Sequence, residues 1–344
     1  MTLTVQRDLS VLRAGLERWL GRSVGEVTRP APGWSCETLI VEGDIVVRLP
    51  PAGPGIFPTY DLAQQAAVQA AAGAAGVPVA WPVRYEPDPS FLGGPFVAMP
   101  FVRGPIPGEF TAVDPWLKGL VDDSARRAVW RSFLETVARV HAVPAEGAEP
   151  APESRDGSAP AVSTQVLGLR AGLDADLDFW QGYLDWATDA SPPSQLADAL
   201  AWCRTNRPGR EPGRGLLWGD VRLGNVVFDL DGLTPKAVLD WDMASVGPVE
   251  MDLAWFLALE AVQSDLTGMS VPGFGRRDEA VAVVERGVGR QLVDLEWYEI
   301  FALVRASAVS TRIAVLFQRD GQRSMFKAGE DPTLAAALAR IAAY

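Results

Sequence analysis

Three polar residues in one short stretch are spaced for phosphoryl chemistry. In "GLLWGDVRLGNVVFDLDGLTPKAVLDWDMASVGP", residues 215–248, Asp220 precedes Asn225 by five positions and Asp240 ends an apolar run. Two apolar runs, "NVVFD" and "KAVLDW", flank "LDGLTP". Asp-Gly is a strong turn former, because Gly tolerates positive φ and Asp can bond its own backbone. A hairpin there returns the end of its second strand to the start of its first, so Asn225 and Asp240 can face one ion. An amide oxygen and a carboxylate suit magnesium, a hard cation. Asp220, one loop away, can reach an incoming hydroxyl and accept its proton. Asp-x-x-x-x-Asn followed by a hairpin-terminal Asp is the spacing of a phosphoryl-transfer catalytic loop.

The same stretch contains "VVFDLDGLTP", which looks like the start of a haloacid-dehalogenase-type phosphatase with Asp229 as nucleophile. The Thr of the expected D-x-D-G-T is Leu233, and the only lysine after residue 236 is Lys327, in "SMFKAGEDP". That fold also needs strands alternating with helices after the motif, whereas strand-like runs nearly stop after 241. The hairpin reading leaves Asp229 and Asp231 as solvated turn residues and ranks above the phosphatase. Asp242 is read evenly as a metal-assisting or a surface residue.

Bulk properties narrow the chemistry further. The chain has 344 residues, 48% hydrophobic and 22% charged, with a formal net charge of −12. That size suits one two-lobed unit or two domains. The acidic balance argues against a nucleic-acid binder, which needs a basic surface. One histidine, His141, leaves no His-rich zinc site and no Ser-His-Asp triad, and its apolar helical neighbours assign it a helix-end packing role. The cysteines, Cys36 and Cys203, form no disulfide framework or metal pattern. The start "MTLTVQRDLS" has no secretory layout, and "AAVQAAAGAAGVPVAWPV" is a helix then a strand rather than a membrane span. A cytoplasmic protein without membrane or nucleic-acid partners is expected.

The elements that must position these residues divide into two groups. Helical spacing predicts an opening helix over 5–21, strands in "ETLIVEG" and "DIVVRLP", a Gly/Pro-rich loop at 50–58, a helix over about 60–75, and two or three strands up to 102. Beyond 110 the pattern predicts helices at 165–188, 194–204, 250–264, 278–290, 293–318 and 331–343, around the strand-rich island 214–242. Residues 142–164, rich in Pro, Ala, Ser and Glu, read as a mobile loop. The fold class is therefore α+β and bilobal: a small sheet-plus-helix lobe, 1–102, and a large mainly helical lobe, 103–344.

With these motifs in place, the sequence resembles the aminoglycoside phosphotransferase family and its choline-kinase-like relatives, which share a protein-kinase-like fold. It is most similar to the branch that includes the kinase-like domain fused to some acyl-CoA dehydrogenases. The resemblance covers about 25–320. The family's catalytic stretch appears as "WGDVRLGN", its metal stretch as "DWDMASVGP", and its following helix start as "GPVEMDLA". Its nucleotide loop appears as "GWSCET", its phosphate strand as "VVRLP", and its interlobe segment as "FVAMPFVRG".

The resemblance implies an ATP- and magnesium-dependent transfer of the γ-phosphoryl to a hydroxyl of a small molecule, with GTP as an alternative donor. It makes Asp220 the catalytic base, with Arg222 near the transferred phosphate, and Asn225 and Asp240 the magnesium ligands. Gly33, Trp34 and Ser35 would cover the phosphates and Arg48 would hold them. Around Phe101, the Pro100 carbonyl and the Val102 N–H would meet the adenine. Asp252 would brace the catalytic loop through its backbone.

Three departures stand out. Trp218 replaces a His and is expected to make no polar bond to the metal region. Arg48 replaces a Lys. Gln65 stands where a Glu should pair with that cation. A nucleotide-binding pseudokinase is therefore the alternative. Trp180, Tyr183, Trp186, Trp297, Tyr298 and Arg305 are expected in the core or on the acceptor wall. Asp174, Asp176, Asp178, Asp185 and Asp189 could bind an aminoglycoside's ammonium groups or merely be solvated. A hydroxylated acyl compound or other metabolite is an equal acceptor.

Overall fold

The computed structural model describes residues 6–30, 35–145 and 168–344. Gly33, Trp34 and most of the 142–164 loop lie outside the described residues. Of its first four residues, which are described, Val143 and Ala145 are buried, while Ala142 and Pro144 are exposed.

The first lobe is an antiparallel five-stranded sheet with two helices. Helix α1 (Leu9–Leu20) starts where the Asp8 carboxylate accepts the Ser10 and Val11 N–H groups, a side-chain N-cap. It buries Leu12 and Leu16 on one face of the sheet. Strands β1 (Val27–Thr28), β2 (Glu37–Val41), β3 (Ile45–Leu49), β4 (Arg84–Glu86) and β5 (Phe96–Pro100) are ordered β1-β2-β3-β5-β4. Strand residues alternate faces. In β3, Val47 and Leu49 join the α1 side. Val46 and Arg48 therefore take the opposite face, where helix α2 (Leu62–Ala74) packs.

The second lobe holds helices α3 (Pro115–Gly119), α4 (Asp123–His141), α5 (Leu173–Ala187), α6 (Ser194–Thr205), α7 (Glu250–Thr267), α8 (Arg277–Val288), α9 (Leu295–Arg319) and α10 (Pro332–Ala343). Helix α9 is long and apolar enough to cross a bilayer, but 78% of its apolar window is buried inside the fold. It is the central strut, packed on α5, α6, α7 and α10. His141 ends α4, where a Cβ on Gly215 would lie 2.0 Å from its carbonyl oxygen.

Four short strands are embedded among these helices. Strand β6 (Arg214–Leu217) pairs antiparallel with β9 (Ser245–Pro248). Strand β7 (Val226–Phe228) pairs antiparallel with β8 (Pro235–Val238). The β7–β8 pair is the hairpin expected from "LDGLTP". Strand β9 was not expected, because its polar and small residues carry no β-rich signal.

Candidate active site

Two loops, 218–225 and 239–244, run between the β6–β9 and β7–β8 ladders. At the open end of the hairpin the Leu239 N–H donates to the Asn225 carbonyl at 2.8 Å. This puts Asn225 and Asp240 side by side. Asp229 is at the closed end: its N–H donates to the Thr234 carbonyl at 2.8 Å and its carboxylate accepts the Asp231 N–H at 3.4 Å. It is a turn residue, as the hairpin requires, and lies apart from the other carboxylates.

Both oxygens of Asp220 are oriented. Oδ1 accepts from Trp255 Nε1 at 3.0 Å, and Oδ2 from Asn225 Nδ2 at 2.7 Å and Arg222 Nε at 3.0 Å. The side chain keeps 19% exposure, so a hydroxyl can still approach. Asn225 spends its amide nitrogen on Asp220, which leaves its oxygen as an acceptor. Arg222 also pairs with Glu109, and the Asp220 charge is the main cause of its raised pKa.

The first loop is held from below. Asp252, in the first turn of α7, accepts the Trp218 N–H at 2.8 Å and the Gly219 N–H at 2.9 Å. Burial pushes its carboxyl up to about 6 against the pull of those two bonds. Gly219 has φ +93, and a Cβ there would lie 2.4 Å from the Met243 carbonyl oxygen. Only glycine lets the two loops touch here.

Trp218 corrects an expectation. Its indole N–H donates to the carbonyls of Leu239 at 2.8 Å and Asp240 at 3.0 Å. The indole therefore makes a polar bond, from a fully buried position, to the loop expected to hold the metal, because its Nε1 reaches the backbone that carries Asp240. Asp240 itself has φ +62, a left-handed conformation that costs a non-glycine residue about 1–2 kcal/mol. The surrounding bonds over-determine it.

Asp240 and Asp242 form an acidic pair. Burial and the Asp240 charge push Asp242 up to about 7, against Arg48 and the neighbouring Ser35 hydroxyl. Burial acts to raise Asp240 as well, but Arg48 and its Asp242 neighbour hold it below the usual range. Arg48 Nη2 lies 3.3 Å from Asp240 and 3.4 Å from Asp242. Asp242 is thus a buried member of the cluster, its side chain 5% exposed, rather than a surface residue. Its Oδ1 is sealed and has no hydrogen-bond partner, and such an atom calls for a cation or a proton.

Asp240, Asp242 and the Asn225 amide oxygen give an all-oxygen donor set that fits magnesium. Among the described residues no group of three or more His, Cys, Asp or Glu could hold a metal ion. Such an ion would complete its shell with water and phosphate oxygens.

Gln65 is buried in α2 with its Oε1 sealed and unbonded, while the side-chain partners of Arg48 are the two aspartates. Ser35 is buried beside Asp242. Pro100 ends β5, and the Phe101 N–H is taken by the Asp44 carbonyl at 2.8 Å. A free donor in this segment must come from Val102.

Trp255 and Glu109 were not anticipated. Trp255 had a signal: it lies three residues after Asp252, hence on the same face of α7. Trp180, Tyr183, Trp297, Tyr298 and Arg305 are all buried, and the Tyr183 hydroxyl donates to the Ile56 carbonyl at 2.7 Å. The five aspartates of the α5 region are engaged: Asp174, Asp176, Asp178 and Asp189 with Arg207, Arg170, Arg204 and Arg319, and Asp185 with Gln181.

A small sheet lobe, a helical lobe, and a loop–hairpin that gathers Asp220, Asn225 and Asp240 define a kinase-like phosphotransferase. The family model described as "Phosphotransferase enzyme family" matches residues 26–288, and the chain belongs to that family.

Among solved structures, a putative aminoglycoside phosphotransferase from Ralstonia eutropha superposes with a TM-score of 0.69 at 18% identity, covering 96% of this chain and 98% of the other. A choline/ethanolamine kinase family protein from Mesorhizobium loti gives 0.55 at 14% identity, covering 97% and 92%. The GDP complex of aminoglycoside 2'-phosphotransferase-IIIa gives 0.55 at 15%, covering 98% of each chain.

Among curated sequences, human acyl-CoA dehydrogenase family member 11 is 27% identical over 61% of this chain and 24% of its own length. Mouse acyl-CoA dehydrogenase family member 10 is 24% identical over 74% and 23%. The chain thus spans about a quarter of these relatives.

Proposed function

We propose that the protein transfers the γ-phosphoryl of ATP, with GTP as the alternative donor, to a hydroxyl of a small molecule. The observation that carries this is the Asp220 carboxylate, fixed by three donors yet still exposed, beside the Asn225–Asp240–Asp242 cluster. The acceptor oxygen forms the new P–O bond as the bond to the leaving nucleoside diphosphate breaks. Asp220 orients the hydroxyl and takes its proton. Arg222 holds Asp220 in place through its Nε and would lie beside the incoming phosphoryl group. Arg48 neutralises phosphate charge from the nucleotide lobe, and its fork can hold two oxygens at once. Ser35, with Gly33 and Trp34, would close over the phosphates, and Pro100 to Val102 would receive the base. Asn225 and Asp240, assisted by Asp242, would hold magnesium, which supplies charge neutralisation to the phosphates.

The alternative, nucleotide binding without transfer, rests on Gln65, which leaves Arg48 unbraced by α2. Trp218 no longer supports it. Calorimetric titration of ATP with and without magnesium, on the wild type and Asp240→Asn, tests the site. Magnesium-dependent binding that the substitution weakens is expected, followed by acceptor-dependent ADP release. Absence of ATP and GTP binding by the wild type would sink the proposal. Binding without release for any acceptor would favour the alternative.

A further inference from the structure

The helical lobe contains a cleft of about 350 Å3, within the size range of small-molecule sites. Phe256, Glu260 and Gln263 line it from α7 at helical spacing. Trp130 of α4 and Phe274, just before α8, add aromatic wall. Two polar atoms on the α7 side are unspent acceptors. The Glu260 carboxylate receives the Thr111 hydroxyl at 3.2 Å and forms no ion pair with any described residue. The Gln263 Oε1 has no hydrogen-bond partner. The one charge that bears on Glu260 among the described residues is that of Glu109, which has the same sign. Burial and that repulsion push the Glu260 carboxyl up to about 7. A cation beside it would relieve the repulsion and restore what burial takes away.

The balance reverses on the side formed by α8, α9 and α10. There Glu299 is buried and receives two guanidiniums, Arg277 at 2.6 Å and Arg340. Arg276 adds a third, 3.7 Å from Asp278. Three arginines and two glutamates thus line the cleft. One glutamate serves two arginines, while none of the arginines serves Glu260.

The cleft is not where a hydroxyl meets Asp220. A smaller cavity shares Thr111, Phe256, Glu260 and Gln263 with it and reaches Glu109 and Arg222. Its volume of about 10 Å3 holds at most one water, and the Arg222–Glu109 ion pair stands there. A molecule in the cleft would lie beside the catalytic loop without reaching Asp220 by that route.

We propose that this cleft is a second small-molecule site, separate from that of the phosphoryl acceptor, for an amino acid whose ammonium and carboxylate are joined by an apolar chain. The ammonium docks on Glu260, with Gln263 as a further acceptor, and the carboxylate docks on Arg277 and Arg340. The site is independent of whether the protein transfers phosphoryl groups.

The test is calorimetric titration of the protein saturated with ADP and magnesium, so that Asp240 and Asp242 are occupied. The probes are 4-aminobutyrate, 6-aminohexanoate and 8-aminooctanoate, with hexylamine and hexanoate as single-charge controls. At least one amino acid should bind the wild type with a Kd below about 1 mM, and its chain length then measures the span between the two docking points. Hexylamine and hexanoate should each bind at least about tenfold more weakly. Glu260→Gln keeps an acceptor for Thr111 and removes an uncompensated charge, so it should be no less stable in urea at pH 8, yet lose at least about tenfold in affinity for the amino acid. Arg340→Gln should weaken the amino acid and leave hexylamine unchanged. Asp220→Asn should bind the amino acid as the wild type does.

No binding of any amino acid by the wild type, equal affinity in Glu260→Gln, or hexylamine binding as tightly as the best amino acid would overturn the proposal. Loss of binding in Asp220→Asn would also overturn it, by placing the ligand at the acceptor's position. Should Glu260→Gln fail to fold, Ala261→Phe, which narrows the cleft from α7 and leaves Glu260 in place, decides: unchanged affinity there would overturn the proposal.

Discussion

Replacing Trp218 with Phe removes one N–H and leaves a ring in the same buried slot. That N–H is shared between the Leu239 and Asp240 carbonyls at 2.8 and 3.0 Å. A buried acceptor stripped of its donor costs about 1–3 kcal/mol. Because the two carbonyls share one donor, the loss is about 2 kcal/mol rather than twice that. The smaller ring leaves a gap worth about 1 kcal/mol more. Urea unfolding should therefore show Trp218→Phe less stable by about 3 kcal/mol.

The more telling effect is local. Asp240 is held at φ +62, and without the indole bond its backbone can relax and carry the carboxylate away from Asn225. If about half of the lost energy is expressed there, magnesium–ATP affinity falls about tenfold. Trp218→His gives the control. It creates a larger cavity and should be the less stable variant, yet it restores an N–H and should bind magnesium–ATP more tightly than Trp218→Phe. Calorimetry on both variants, set beside their unfolding curves, reads the two effects separately. Equal magnesium–ATP affinity in the wild type and Trp218→Phe would refute the reasoning.

Two further outcomes follow from the same geometry. Asp252→Ala orphans the Trp218 and Gly219 N–H groups, so it should cost about 2–4 kcal/mol in denaturant unfolding and lower kcat more than it raises the KM for nucleotide; an unchanged kcat would show that the loop needs no brace. His141 is held neutral by burial, with its pKa lowered to about 3. Between the ordinary value near 6.5 and about 3, the unfolded chain binds a proton that the native chain refuses, so acidification favours unfolding through this group. Raised carboxyls such as Asp252 act in the opposite direction, and a comparison with His141→Gln isolates the histidine. From pH 7.5 to 5 the wild type should lose about 2 kcal/mol relative to that variant, and parallel stability curves would dismiss the assignment.

Much of this site was legible because its parts are local. The Asp-Gly turn fixes the hairpin, the hairpin fixes Asn225 against Asp240, and Asp220 follows from a five-residue offset. What escaped was long-range. The Arg48 contact with Asp240 and Asp242 joins residues 192 and 194 positions apart, and nothing in "VVRLP" or in α2 shows that the aspartates rather than Gln65 lie beside it. Strand β9 has no β-rich composition; it exists because β6 offers it a partner. Trp218 was misjudged by side-chain class. A His-to-Trp change looks like the loss of a polar group, but an indole is an apolar plate with one donor at its rim, and whether that rim reaches a carbonyl depends on backbone more than twenty residues away. Arg305 is the converse case. In sequence it is one more arginine on an apolar helix, read as core or as acceptor wall with nothing to choose between them. Its setting, three rings against the guanidinium with the Asp176, Asp252 and Asp220 carboxylates acting on it from separate elements, depends on packing that no local stretch shows. Residues recognised by what they contact within one loop can be read from a sequence; residues whose partners come from distant elements require the whole packing.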